Sequence, residues 1–241
     1  MNENSYESQT HCHGDDNFLI QTLGDFSVAV NEINLTDAFE NSQKLLELFT
    51  YFITYRNELI LPEKIIDEIW PDAEFSDPKR TLRALIFRLR KILSQNVMTP
   101  GSMLIVYSNG CYKFNAQAFC ELDIDSFETT YKQATELHHL NRSESIALYN
   151  RVIQMYRGGY LKKMALHDWL IPVKNQYHHM FLQSCGEVLD YLADEGRDHE
   201  IIELAEEVMR LDIFSEYIHL HYVDSLTKLG ELKHAKSHVA Y

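Results

Sequence analysis

The chain has 241 residues, 45% of them hydrophobic and 24% charged, and its formal net charge is -14. This composition is ordinary for a globular protein of one or two domains. The most apolar stretch, LLELFTYFITY, is far shorter than the roughly 20 residues that span a bilayer, and the polar N-terminus lacks the apolar core of a signal peptide. The four cysteines form no CxxC pair. These features exclude a membrane span and a disulfide framework, and we expect a cytoplasmic protein.

The first elements are predicted to be a tail and a small sheet. Residues 1–17 are polar and are expected to be disordered. The stretch FLIQTLGDFSVAVNEINL is rich in apolar and β-branched residues and carries turn signals at Gly24-Asp25 and Asn31-Glu32. It therefore predicts two or three short strands.

Two amphipathic helices are predicted next. Ser42 is a suitable N-cap for QKLLELFTYFITYR, in which six apolar residues form a wide helical face. Pro62 suits the first turn of a second helix, and Pro71 ends it.

A basic helix and a hairpin follow. The helix is expected over residues 76–93, capped by Ser76 or Asp77; it holds six Lys and Arg residues, and no acid lies between Asp77 and Glu121. Residues 103–115 predict a hairpin, because their strands alternate around Asn109-Gly110, a strong signal for a two-residue turn. Positive charge is thus gathered on one segment of an acidic protein.

This order of elements predicts the fold of the first domain. A small sheet, three helices and a hairpin form a winged helix-turn-helix, which we assign to residues 18–116. In such a domain the third helix enters the major groove of DNA. The hairpin is then the wing.

The second domain, residues 122–241, is predicted to be all helical. Gly196 and Gly230 are 34 residues apart, as are Leu192 and Leu226, and this is the period of tetratricopeptide (TPR) helical pairs. The fold class is therefore an α+β winged helix followed by an all-α TPR-like repeat domain. Because the sequence ends inside the second helix of its last pair, we expect this domain to be truncated at its C-terminus.

Helical periodicity divides the basic helix into two faces. The face that should pack on the preceding helices carries Leu82, Leu85, Ile86, Leu89 and Leu93. The candidate DNA contacts on the other side are Arg80, Arg83, Ala84, Phe87, Arg88 and Lys91, with Lys79 and Arg90 nearer the boundary. Arginine can bind a guanine edge or a phosphate, and Ala84 and Phe87 suit thymine methyl groups. A solvated surface helix has the same pattern, but the hairpin directly after it favours DNA.

Two segments resemble known families. RTLRALIFRLRKIL followed by LIVYSNGCYKF resembles the C-terminal DNA-binding domain of OmpR/PhoB-type response regulators. ALYNRVIQMYRGGYL and the helices after it are similar to the bacterial transcriptional activation domain (BTAD). Together these resemblances cover residues 18–241 and indicate a regulator of the SARP (antibiotic-regulatory-protein-like) type.

The resemblance implies a bacterial transcriptional activator with RNA polymerase as a further partner. It places Arg80 and Arg88 at the positions of the family's major-groove arginines, and Lys113 at its basic wing residue; Asn109 of the wing turn joins the expected DNA contacts. Cys111 stands where the family has glycine, and Phe87 where it has a polar residue. Because one small module offers limited contact area, we expect a homodimer on repeated half-sites of promoter DNA.

An enzyme or a metalloprotein is not expected. The sequence contains no GxSxG, P-loop or GxGxxG motif. The adjacent pairs His138-His139 and His178-His179 diverge on a helix, and His219 and His221 also lack the i, i+4 spacing of a helical zinc pair. We expect no catalytic residue, no metal and no cofactor.

The alternative is a TPR-type protein-interaction module whose winged helix no longer binds DNA. The net negative charge of the chain would suit this alternative. A positive band joining the arginines of the basic helix to Lys113 favours DNA. Interruption of that band by acidic residues favours the alternative. The acidic residues that could interrupt it are Asp72, Glu74 and Asp77.

Overall fold

The computed structural model describes residues 16–56, 58–72, 76–95, 97, 99–211 and 215–239. It divides into two compact units, one formed by Met1–Ile20 with Ser27–Glu121 and the other by Gln21–Phe26 with Leu122–Tyr241. The segment Gln21–Phe26, which the sequence prediction assigns to the winged helix, therefore belongs to the second unit.

The predicted N-terminal tail is only partly within the described residues, since residues 1–15 lie outside them. Asp16 is not part of a free tail. It is buried, and its carboxylate accepts hydrogen bonds from the backbone N–H of Thr99 at 2.6 Å and from Asn31 Nδ2 at 2.6 Å. These contacts correct the expected disorder at Asp16, because they connect it to residues far apart in sequence.

The first unit contains six short strands and five helices among its described residues. The strands are β1 (Phe18–Gln21), β2 (Ser27–Val30), β3 (Ile33–Asn34), β4 (Ile105–Ser108), β5 (Cys111–Phe114) and β6 (Cys120–Leu122). The helices are α1 (Thr36–Glu40), α2 (Gln43–Thr54), α3 (Pro62–Ile69), α4 (Pro78–Leu93) and α5 (Gly101–Leu104). Strands β1 to β3 confirm the predicted sheet, whereas the sequence pattern does not predict α1, α5 or β6.

The sheet has the strand order β3-β2-β1-β6. Its β2–β3 hairpin turns where the sequence predicts, because Asn31 and Glu32 have φ values of 48° and 67°. Two successive residues with positive φ form the two-residue turn whose twist suits antiparallel strands.

Aromatic side chains form the centre of the first unit. Phe49 of α2 stacks on Phe39 of α1 at 4.8 Å between ring centroids and meets Phe114 of β5 edge-on at 5.7 Å. Glu47 is buried on α2, where its carboxylate accepts a hydrogen bond of 2.9 Å from the indole N–H of Trp70. Ser42 does occupy the N-cap position of α2, but its side chain makes no capping hydrogen bond.

The second unit contains six helices among its described residues, in agreement with the all-helical prediction. They are α6 (Asp123–Leu137), α7 (Arg142–Tyr156), α8 (Leu170–Asp194), α9 (Asp198–Met209), α10 (Glu216–Lys228) and α11 (Leu232–Val239). Consecutive helices pack against one another, as helical repeats do.

The 34-residue repeat is visible in the backbone. At the end of α8, Gly196 has φ 67° and the N–H of the next residue bonds the carbonyl of Leu192 at 2.9 Å. At the end of α10, Gly230 has φ 80° and the following N–H bonds Leu226 at 2.8 Å. Both helices thus end in the same glycine-dependent Schellman motif.

The segment Gln21–Phe26 is anchored by the start of α6. The carboxylate of Asp123 accepts hydrogen bonds of 2.7 Å from the backbone N–H groups of Thr22 and Leu23 and from the Thr22 hydroxyl. The loop after α7 contacts the same segment, since the Gly24 N–H donates a hydrogen bond to the carbonyl of Gly159 at 2.8 Å. A side chain at Gly24 would meet Arg157 Cβ at 3.0 Å, so this close approach requires glycine.

The structure confirms the predicted fold class, a small-sheet winged helix followed by a helical TPR-like part. No helix of the described residues has the length and hydrophobicity needed to cross a membrane.

Candidate nucleic-acid interface

Helix α4, predicted over residues 76–93, runs from Pro78 to Leu93. Asp77 is its N-cap, and its carboxylate accepts a hydrogen bond of 2.9 Å from the backbone N–H of Arg80. Proline at the first helical position needs no hydrogen-bond partner, so the two residues together fix where the helix begins.

The predicted division of α4 into two faces is confirmed. All five residues expected on the packing face, Leu82, Leu85, Ile86, Leu89 and Leu93, are buried. This face packs against α2 and α3. Burial of one apolar stripe leaves the other side of the helix on the surface.

That other side is here called the outer face, and its six exposed residues are Arg80, Arg83, Ala84, Phe87, Arg88 and Lys91. Within the described parts of the chain, none of its four cations forms an ion pair. Because α4 itself contains no acid, the positive charge of the outer face is not neutralised locally. A polyanion is the partner that such a surface favours.

Lys79 lies beside the outer face but is engaged within the protein. Its ammonium forms an ion pair with Glu63 of α3. The hydrogen bond between them raises the pKa of Lys79 and lowers the pKa of Glu63. Both side chains are exposed, so this pair can open to release the lysine at little cost.

The wing consists of β4 and β5, which pair antiparallel from Ile105–Phe114 to Ser108–Cys111. Its turn has the predicted form, with φ 53° at Asn109 and 81° at Gly110. The strands are shorter than the predicted hairpin over residues 103–115, because Met103 and Leu104 belong to α5. Asn109 is exposed at the tip.

The two faces of the wing differ in chemistry. Tyr107 and Tyr112 share one face, with ring centroids 4.7 Å apart. Lys113 is exposed and, by strand alternation, lies on the opposite face from Tyr112. Sequence reasoning missed Tyr107, although the same alternation places it across the hairpin from Tyr112.

A groove of about 760 Å³ lies between α4, the start of α3 and the wing. Among the residues that line it are Leu61, Lys79, Arg83, Phe87 and Tyr107. The groove therefore joins cationic groups to exposed apolar and aromatic surface, the combination that contacts both phosphates and bases.

Arg90 differs from the other predicted DNA contacts. It is half-buried, and its guanidinium donates two hydrogen bonds to the carbonyl oxygen of Ile105, from Nε at 3.0 Å and from Nη2 at 2.6 Å. Arg90 thus joins α4 to the wing, and its contact with DNA stays a prediction.

The acidic residues that could interrupt the positive surface are only partly described. Asp77 is committed to capping α4, and Asp72 is exposed, while Glu74 lies outside the described residues.

The histidines do not assemble a metal site in the described ranges, where no group of three or more His, Cys, Asp or Glu residues could hold a metal ion. His178 Nδ1 instead lies 2.8 Å from the Tyr156 hydroxyl, and His219 Nδ1 lies 2.6 Å from His238 Nε2. His11, Cys12 and His13 lie outside the described residues.

The winged helix matches a known family. Residues 37–114 match the family described as "Transcriptional regulatory protein, C terminal". The matched range begins at α1 and ends with β5, so it contains α4 and the wing. No curated protein matches the sequence.

Most of the chain is similar in fold to a solved structure, Mycobacterium tuberculosis EmbR in complex with a low-affinity phosphopeptide. The TM-score is 0.75 at 12% sequence identity, over 92% of this chain. The chain spans 58% of that protein's length. Residues 37–114 thus match the C-terminal domain family of transcriptional regulatory proteins, and over most of its length the chain shares the fold of the EmbR structure, a winged helix followed by helices.

Proposed function

We propose that the protein is a bacterial cytoplasmic transcriptional activator that binds promoter DNA through its winged helix. In this proposal α4 enters the major groove, where the outer face contacts bases and phosphates, and Asn109 and Lys113 of the wing contact the adjacent backbone or minor groove. The observation that carries the proposal is the outer face itself, with its exposed arginines and lysine unpaired among the described residues.

We further propose that the protein acts as a homodimer on repeated half-sites. A single module of this size buries about 600–1,000 Å² against DNA, which limits its affinity and specificity. Two modules on adjacent half-sites double the contact surface. Because the two modules are joined, binding of the first also raises the effective concentration of the second at its half-site.

We propose that the helical unit provides the surface for dimerisation, RNA polymerase or an effector. A groove of about 260 Å³ in this unit has apolar groups such as Val188 and Leu192 among its lining residues, together with Glu200, Glu203 and Glu207. Glu200 is paired with Arg197, which also lines the groove, so Glu203 and Glu207 are the acidic groups that would suit a basic or amphipathic protein segment. The proposed activity is binding and involves no catalysed reaction.

Loss of charge from the outer face tests the DNA proposal. Arg80→Ala/Arg88→Ala is compared with Lys132→Ala/Lys233→Ala, which removes the same charge from exposed positions of the helical unit. Duplexes selected from a random library by the whole chain serve as the probe, and affinity is measured over a range of salt concentrations.

We expect the arginine variant to bind at least about tenfold more weakly, because each good base contact contributes about 1–3 kcal/mol. If the arginines bind phosphates, the slope of log K against log salt should also shrink by about 0.9 for each phosphate that is no longer neutralised. The lysine variant should bind as the parent does. Equal binding by parent and arginine variant at physiological salt would favour the alternative, a TPR-type interaction module whose winged helix has no DNA role.

A further inference from the structure

Phe87 is a large apolar residue at the centre of the outer face. It is 70% exposed, and within the described residues its ring contacts no other aromatic ring and no cation. The periodicity of α4 does not require an apolar residue at this position, because the packing face is already complete without it. Phe87 lines the same groove as Leu61 and Tyr107, which are also exposed, and such a grouping of exposed apolar side chains indicates a partner that covers them.

The surroundings of Phe87 indicate what kind of partner this is. Arg83 and Lys91 lie one helical turn to either side, and Arg88 is the next residue. A protein that covered Phe87 would have to bury or neutralise these cations, whereas DNA supplies phosphates for them. The observations therefore favour a nucleic-acid contact.

Base edges in the major groove offer one apolar group, the C5-methyl of thymine. The exposed ring on α4 presents no hydrogen-bond donor or acceptor, so it cannot read the polar edge of a base. We infer that Phe87 is a specificity-determining residue that contacts the methyl group of a thymine in each half-site. This inference rests on the proposed DNA-binding function and adds a base identity to it.

The size of the effect follows from the chemistry. Removing one methyl group from an apolar contact weakens binding by a factor of about four. Because deoxyuridine differs from thymidine only by that methyl, its substitution isolates the contact without changing base pairing.

The experiment uses the whole chain and the duplex that it selects from a random library. Each thymine of a half-site is replaced in turn by deoxyuridine, and the dissociation constant is measured for the parent and for Phe87→Ala. We expect one position at which the substitution weakens the parent about fourfold and leaves Phe87→Ala unaffected. Leu19→Ala, which shortens a 51% exposed leucine on β1, should behave as the parent does.

A second variant tests the direction of the base preference. Glutamine pairs with adenine through two hydrogen bonds, so Phe87→Gln should shift the selected base at that position from thymine to adenine. Both results together would establish Phe87 as the reader of that base pair.

Three outcomes overturn the inference. Deoxyuridine has no effect on the parent at any position, or it affects the parent and Phe87→Ala equally. Alternatively, Phe87→Ala changes the oligomeric state in sedimentation while the deoxyuridine effects stay unchanged, which would make Phe87 a protein contact. Failure of the chain to select any sequence would instead be a failure of the proposed function, because the selection step precedes every measurement on Phe87.

Discussion

The guanidinium of Arg90 holds the carbonyl oxygen of Ile105 through two hydrogen bonds of 3.0 and 2.6 Å. Arg90 belongs to α4 and Ile105 is the first residue of the wing, so one side chain connects the two elements that we propose to contact DNA. Gly101 reinforces the connection, because a Cβ at this position would overlap the Arg90 carbonyl oxygen. The spacing of α4 and the wing is therefore set inside the protein, before any DNA is bound.

Arg90→Ala should lower the free energy of unfolding by about 1.5–3 kcal/mol, the usual contribution of hydrogen bonds to a charged group. Urea denaturation of the whole chain measures this loss. Arg90→Lys retains the charge but cannot form the two-pronged contact, so it should restore little. Arg88→Ala, on the exposed face, should change stability by no more than about 0.5 kcal/mol. The role assigned to Arg90 is wrong if the Arg90 and Arg88 alanine variants unfold at the same urea concentration.

The wing turn depends on the positive φ of Gly110. Gly110→Ala should cost about 1 kcal/mol, because a side chain at φ 81° is strained even though the space around it is open. For a chain of this length the melting temperature should fall by about 2–4 °C. An unchanged melting temperature would contradict this account of the turn.

Asn109→Gly separates the turn from DNA contact at the neighbouring position. Asn109 has φ 53°, which glycine adopts without strain, so this variant should keep the stability of the parent. Any decrease in DNA affinity then measures the Asn109 side chain alone. Equal affinity of parent and variant would remove Asn109 from the proposed contacts.

Asp123 should be among the most sensitive positions of the second unit. Asp123→Ala leaves the backbone N–H groups of Thr22 and Leu23 without their acceptor, and both residues are fully buried. We expect a decrease of about 3 kcal/mol in the free energy of unfolding, since each unsatisfied buried donor costs about 1–3 kcal/mol. Thr22→Val removes the hydroxyl bond alone and should cost about 1 kcal/mol in the same chemical denaturation. Similar small decreases in both variants would show that the carboxylate does not hold this segment.

The periodic parts of the structure could be predicted from the sequence. Leucine and isoleucine spacing indicates both faces of α4, and Asn109-Gly110 indicates the wing turn, because these depend on neighbours within a few residues. The glycines Gly196 and Gly230 likewise mark two identical helix ends, because each end is a local motif and the two motifs are 34 residues apart.

The remaining features depend on contacts between distant residues. Arg90 lies at the edge of the apolar face, and whether its guanidinium meets solvent or a carbonyl depends on where the wing approaches. The segment Gln21–Phe26 has the composition of a strand connection. Contacts with Asp123 and Gly159, about a hundred or more residues later, assign it to the helical unit. Strand alternation predicts the face of the wing on which Tyr107 lies. Its place in the groove also depends on the position of α4, which the alternation does not give.

The most direct test of the DNA-binding account is NMR chemical-shift mapping of the full chain titrated with its selected duplex. We predict that the largest amide shifts fall within residues 79–91 and 109–113, with smaller changes in the helical unit. Titration with the same duplex should leave the amides of Arg80→Ala/Arg88→Ala largely unshifted at matched concentrations. Shifts confined to the helical unit, or equal shifts in parent and variant, would contradict the claim that the outer face of α4 is the surface that binds DNA.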